Sequence, residues 1–447
     1  MQRILLVPAT HLTSRSVLTA GVVALGITLA ACSDAGPGPG SGPPAAAGSA
    51  SPALSSPAGS APAEDADNAP GHGAIEGAAE MTEPQLRLAV VAPDGRTTGI
   101  DLSTGDPVDL PDLPAPTTVT TDGRYLFATS AAGLSVLDSG VWTVPHGDHS
   151  HYYLAGPRLV GEVDGGAAMR TSSAPSLVTV LDPDAGRAVI LDGAALGAGS
   201  VAPLAEVDDV PADGLLVPLG QHLVLTTSDA AGSPADTVRV LDATGTPVPG
   251  TRIACPAAGE TITSRVGVVV GCADGAVLAV AGSDEAGTVT LEHIPHPQAV
   301  PAADRARDFR ARKDRPVVAA IAGERGAWAL DTRDRRWTLL PTSTPLVAVS
   351  AVDDRDHVVV AADRDGRILV LDASTGDVTG TSEPLLAATM ADPALRDAVT
   401  IEVDAARAYV NDPAGRRILE IDHGAAARVS REFPTPDVPM FIAEVGR

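Results

Sequence analysis

The chain has 447 residues and a formal net charge of −25, from 56 acidic against 31 basic side chains. A surface of that sign repels nucleic acid and anionic lipid, so neither is expected as a direct partner. Aromatic residues make up 2 % of the chain while Ala, Val, Gly and Asp abound, so any core is built from small aliphatic side chains.

Arg3 and Arg15 flank the start of an apolar run from Val17 to Ala31 that ends Leu29-Ala30-Ala31-Cys32. A basic n-region, a short apolar h-region and small residues before a cysteine predict a lipoprotein signal peptide over residues 1–31. The run is short for a transmembrane helix. Cys32 is then the lipid-modified first residue of the mature chain. Cleavage removes two arginines and no acid, taking the net charge from −25 to −27. The expected location is extracytoplasmic, on the outer face of the cytoplasmic membrane, held by the lipid alone.

Residues 32–82 are rich in Gly, Pro, Ala and Ser, as in Gly36-Pro37-Gly38-Pro39-Gly40, with almost no large apolar residue. Such a segment cannot offset its ordering entropy and is predicted to be a disordered linker. As a flexible coil it spans on the order of 40 Å. His72, Glu76 and Glu80 lie near its end. They read as linker residues, with a sparse metal-capture arm as the alternative.

From residue 83 to 447 the pattern changes to short apolar strands that end in Asp and run into a Gly-containing turn. The units are Thr98–Gly105, Leu134–Asp138, Val178–Asp182, Val238–Gly245, a degenerate copy at Ala276–Gly282, then Trp328–Asp331, Ile368–Gly376 and Ile418–Asp422. Neighbouring copies are roughly 37 to 60 residues apart, the range of a four-stranded propeller blade. Helical periodicity is weak and Gly and Pro recur throughout. The expected fold is therefore all-β, a β-propeller of eight blades, or seven if the degenerate copy is not one. A pair of β-sandwiches is the alternative.

Between the second and third copies the chain reads His146-Gly147-Asp148-His149-Ser150-His151-Tyr152-Tyr153, with three of its ten histidines in six positions. Neutral imidazoles with a carboxylate are the ligand set of a borderline ion such as Zn²⁺. In an extended segment His149 and His151 share a face, followed by Tyr153, while His146 and Asp148 take the other. A turn at Pro145 to Asp148 would bring His146 round. Val141–Pro145 reads as the outer strand of a blade, so the cluster is expected where the chain crosses to the next inner strand, beside the channel mouth. A solvated loop that binds nothing is the alternative.

Cys255 and Cys272 bracket two predicted strands. Outside the cytoplasm such a pair reads as one disulfide, and two buried thiols are the alternative. His293-Ile294-Pro295-His296 reads as an exposed turn rather than a ligand pair. His222, His357 and His423 are isolated. The basic run Ala302–Arg315 reads as the solvated face of a loop, or a docking patch for an acidic partner. Gly-x-Ser-x-Gly is absent, and Trp142, Trp328 and Trp337 are too few for the repeated tryptophan motifs of quinone-dependent dehydrogenases. An enzyme is not expected.

Taken together the chain resembles the AztD family of extracytoplasmic zinc chaperones. The likeness is carried by His146–Tyr153, by Cys255-Pro256 with Gly271-Cys272-Ala273-Asp274-Gly275, and by the tail Ala408–Gly415, Glu420-Ile421-Asp422 and Glu444–Arg447. The resemblance implies a β-propeller that delivers zinc to the solute-binding protein of an ABC transporter. It carries over His146, Asp148, His149 and His151 as metal-site positions. The family has further histidines where this chain reads Ala168–Ser173, Pro211–Gly220, Pro256–Glu260 and Asp397–Thr400, so the chain reads as a divergent member. A monomer is expected. The rival reading is a metal-free extracellular propeller acting as a protein-interaction scaffold.

Overall fold

In the repeated strand-Asp unit the aspartate caps the turn that follows it. Asp101 accepts hydrogen bonds from the Ser103 and Thr104 backbone N–H groups and from the Ser103 hydroxyl. Asp242 takes the Thr244 hydroxyl and the Thr244 and Thr246 N–H groups, and Asp372 takes the Ser374 hydroxyl with the Ser374 and Thr375 N–H groups. These are Asx turns. Gly105, Gly245 and Gly376 complete them with φ near +84°, a conformation that favours glycine.

The computed structural model describes residues 75, 77–146, 149–228, 233–283 and 287–447. Residues 1–74, where the signal peptide, Cys32 and most of the linker are expected, lie outside them. Among the described residues the strands form eight four-stranded antiparallel sheets and one three-stranded sheet. Each of the eight repeat units falls in a different four-stranded sheet, including the degenerate copy, which is the strand Gly275–Ala281. This gives eight blades. Seven units occupy the third strand of their blade. Val178–Asp182 instead ends the second strand of the third blade, Leu177–Asp182.

First strands of successive blades run beside one another, as where the parallel bridge Ala311–Ala351 joins the sixth and seventh blades. The ring closes with strands from both ends of the chain. Phe441–Val445 is the first strand of the blade that continues with Arg87–Val91, Thr97–Asp101 and Pro107–Asp109. Buried Val, Leu, Ile and Ala fill the space between neighbouring blades, each large one contributing about 1.5–3 kcal/mol.

Two expectations change. The basic run is a loop only in part: after a 3-10 turn at Ala302–Asp304, residues Arg307–Arg310 form the first strand of the sixth blade, and Arg312, Lys313 and Arg315 follow in the turn beyond it. An irregularity between Arg307 and Arg310, with Asp308 at φ +53°, breaks the simple alternation of the strand; Phe309 is buried near Trp337 while Arg307 and Arg310 are exposed. The linker also ends earlier than residue 82, because Ala79–Met81 is a strand paired to residues Tyr152–Leu154.

Candidate metal site on an inserted hairpin

The second blade is built from Pro116–Thr121, Tyr125–Ser130, Gly133–Asp138 and Arg158–Asp164. Its third strand ends in Asp138, at the point where the fourth, sixth and seventh blades pass through a short turn into their fourth strand. Here the chain instead leaves as a hairpin, Val141–His146 and His149–Leu154, before returning to Arg158. Ala79–Met81 adds a third strand on the His149–Leu154 side. The histidine cluster is therefore not on a blade-to-blade crossing. Val141–His146 does not join the blade; among the described residues it pairs with His149–Leu154 alone, because Arg158–Asp164 already occupies the outer edge.

The hairpin is fastened at its root. Gly140 has φ +76°, and a Cβ there would come within 2.4 Å of the Ala155 carbonyl oxygen, which leaves room only for glycine. The Ala155 N–H donates to the Gly140 carbonyl at 2.7 Å. Val141 packs with Leu126, Leu137 and Val445 in one buried cluster. Asp138, itself buried, accepts from the Gly140 N–H and from two nitrogens of Arg124. The Arg124 guanidinium covers the Trp142 ring, and Trp142 stacks on Tyr153 with centroids 5.2 Å apart. The Thr143 hydroxyl donates to the Gly446 carbonyl at 2.6 Å, just past the inner strand Phe441–Val445. The hairpin thus lies against the end of the strand Phe441–Val445, in a topology other than the expected crossing.

The register pairs Trp142 with Tyr153, Val144 with His151, and His146 with His149. Residues two apart on a strand share a face, so His149, His151 and Tyr153 line up as the sequence predicts. The Nε2 atoms of His149 and His151 face each other at 3.1 Å, and the ring centroids lie 4.8 Å apart. His151 Nδ1 lies 2.6 Å from the Glu80 carboxylate. His149 is exposed and His151 half-buried. Burial, with Glu80 nearby, pushes the Tyr153 phenol above its usual range. Asp148 and the side chain of His146 lie outside the described residues.

Two imidazole nitrogens bound tetrahedrally to one zinc, each at 2.0–2.1 Å, are separated by about 3.3 Å. The His149–His151 pair needs to open by only a few tenths of an ångström to reach that spacing. A carboxylate on the far nitrogen of a ligating histidine is the usual orienting partner at zinc sites. The pair with Glu80 therefore fits one face of a zinc site. Among the described residues no group of three or more His, Cys, Asp or Glu side chains is arranged to hold an ion by itself.

Glu80, which the sequence reads as a linker residue with a metal-capture arm as the alternative, meets the histidine cluster in a way the sequence does not indicate. It stands 71 positions from His151 inside a linker-like composition, and only the strand register brings the two together. The other histidines stand elsewhere. His293 Nε2 lies 3.1 Å from Asp274, and His296 is not in an exposed turn but buried between Trp328 and Trp337, with centroids at 4.7 and 4.6 Å. Proximity to the tryptophans follows from the packing of the fifth blade's last strand on the sixth blade. His423 is buried as well. Cys255 and Cys272 form a disulfide that joins the end of the fourth blade to the second strand of the fifth.

No protein-family model matches the chain, and no curated protein matches it in sequence. Among solved structures, the chain is similar to apo AztD from Citrobacter koseri, with a TM-score of 0.68 and 19% identity over 81% of this chain and 98% of that one. A second structure of Citrobacter koseri AztD matches with the same score and coverage at 20% identity. The dihydro-heme d1 dehydrogenase NirN in complex with DHE matches at a TM-score of 0.50 and 16% identity, over 82% of this chain and 76% of that one. The chain thus has an AztD-like propeller fold, at low sequence identity.

Proposed function

We propose that this protein is a lipid-anchored, extracytoplasmic zinc carrier that delivers its ion to the solute-binding protein of an ABC transporter. It is not an enzyme in this reading; zinc is its cargo. The observation that carries the reading is the His149–His151 pair, Nε2 to Nε2 at 3.1 Å, with Glu80 on the outer nitrogen of His151. His146, registered opposite His149, is the proposed third ligand, and Asp148, two positions further along the sequence, is either a fourth ligand or an orienting acceptor. The family resemblance of the sequence supplies the identity of the cargo and of the receiving protein.

Exposure of His149 suits transfer. An ion at the tip of a hairpin can be approached by an incoming ligand set from a second protein. With three histidines as ligands and Asp148 as an orienting acceptor, water completes the shell, and the ion is held less tightly than in a closed four-ligand site. A signal peptide ending at Cys32 would place the carrier on the same membrane surface as the transporter.

Zinc titration by calorimetry tests this, using the mature chain and the variant with His149→Ala and His151→Ala. Stoichiometric uptake by the wild type and none by the variant, with circular dichroism unchanged, is the expected result. Equal uptake by both would move the site elsewhere. No uptake by the wild type would favour the metal-free scaffold.

A further inference from the structure

We infer that Glu80 is a positioning residue for His151, and that the strand carrying it makes the end of the linker a working part of the zinc site. The consequence for zinc rests on the reading proposed above; the hold on the imidazole ring does not.

Ala79–Met81 is only three residues long, yet its register is fixed: Ala79 opposite Leu154, Glu80 opposite Tyr153, Met81 opposite Tyr152. Residues directly opposite in a ladder share a face, and so do residues two apart on one strand. Glu80 therefore projects on the face of Tyr153 and His151, where its Oε1 meets His151 Nδ1 at 2.6 Å. An ionised carboxylate can only accept a hydrogen bond, so the ring hydrogen sits on Nδ1. That leaves the lone pair on Nε2, the nitrogen that faces His149. Glu80 in this way selects the one tautomer of His151 that can ligate in the space between the two rings, and it fixes the ring plane. In the metal-free protein His149 donates its Nε2 hydrogen to His151; when zinc binds there, that proton passes to solvent and His149 takes one back on Nδ1, so the ring stays neutral and ligates through Nε2.

Stability does not account for the contact. The Glu80 side chain is 54% exposed, and an ion pair so open to water contributes little to folding. The same exposure means that substitutions at Glu80 leave the propeller folded. A chain cut at residue 82, the boundary suggested by composition, would keep both histidines and lose this carboxylate.

The experiment uses the full mature chain as wild type, Glu80→Ala and Glu80→Gln, with Zn²⁺ alone as the probe in a chelator competition. Glu80→Ala should weaken zinc binding by about 10–100-fold, the usual effect of removing a carboxylate behind a ligating histidine. Glu80→Gln keeps an acceptor oxygen and should recover part of the loss. A second readout is the ¹⁵N spectrum of the imidazoles in the metal-free protein. His151 should show the Nδ1–H form in the wild type and in Glu80→Gln, and move toward Nε2–H in Glu80→Ala. Wild-type affinity in Glu80→Ala overturns the inference, and so does an affinity loss with no change of tautomer. If the wild type takes up no zinc, the carrier reading fails, and the ¹⁵N spectra still decide whether Glu80 holds the ring.

Discussion

Arg124 stands with its guanidinium carbon 3.8 Å from the centroid of the Trp142 ring while two of its nitrogens hold the Asp138 carboxylate at 2.7 and 3.1 Å. One side chain thus ties the last residue of a blade strand to the first strand of the hairpin that bears the histidines. Both partners are largely buried, with 13% of the Arg124 side chain and 2% of the Asp138 side chain exposed. Removing Arg124 leaves the buried Asp138 without its hydrogen-bonded cation, with Arg158 the nearest remaining one at 3.9 Å.

Arg124→Ala should therefore destabilise the protein by about 3 kcal/mol. Arg124→Lys should recover little of that, because an ammonium can neither bind the carboxylate through two nitrogens nor stack flat on the indole. Urea denaturation followed by tryptophan fluorescence measures both. A loss below about 0.5 kcal/mol in the alanine variant, typical of an ordinary surface site, would show that the pair does not secure the hairpin.

The Cys255–Cys272 bridge closes a loop with a sequence separation of 17 across two blades. Chain-entropy reasoning assigns such a crosslink about 3 kcal/mol. The double variant Cys255→Ala and Cys272→Ala should lose stability of that order. The non-reduced wild type, unfolded and treated with an alkylating reagent, should remain unlabelled at both positions. Labelling of both cysteines would refute the bridge.

His296 gives the fold a dependence on acid. Desolvation between the two indoles pushes its imidazole down to about 4, against an opposing pull from Asp274 and a further push from His293. Neither ring nitrogen has a hydrogen-bond partner among the described residues. In the unfolded chain an imidazole takes its proton near 6.5. Between those two values the unfolded state binds the proton and the native state does not, so stability falls as pH falls. The slope is about 1.4 kcal/mol per pH unit for this group. Burial shifts His423 in the same direction, adding to the slope. Denaturation midpoints measured at pH 7 and pH 5 should differ, and His296→Leu should reduce the difference. An unchanged difference in that variant would assign the acid sensitivity to other groups.

The anchoring proposed for the mature chain depends on one thiol. Cys32→Ser should release the protein from membranes into the soluble fraction, since nothing else expected of this acidic surface binds anionic lipid. If the variant stays with the membrane pellet after a high-salt wash, a second anchor holds it.

Much of this architecture is legible in the sequence because it is local. An Asx turn is made within five residues, so Asp101 to Gly105, Asp242 to Gly245 and Asp372 to Gly376 reveal themselves as repeats, and the eight units of this kind, the degenerate copy included, equal the blades in number. The shared face of His149 and His151 is equally local, since it follows from the two-residue period of a strand. Partner choice is not local. That Phe441–Val445 closes the first blade, that Val141–Leu154 is an insertion between two strands of one blade, and that Glu80 reaches His151 are all matters of which strand pairs with which. A strand's periodicity states which face is apolar and says nothing of its neighbour. Pairing is settled by buried contacts such as Val141 with Leu126, Leu137 and Val445, and those exist only once the propeller has closed.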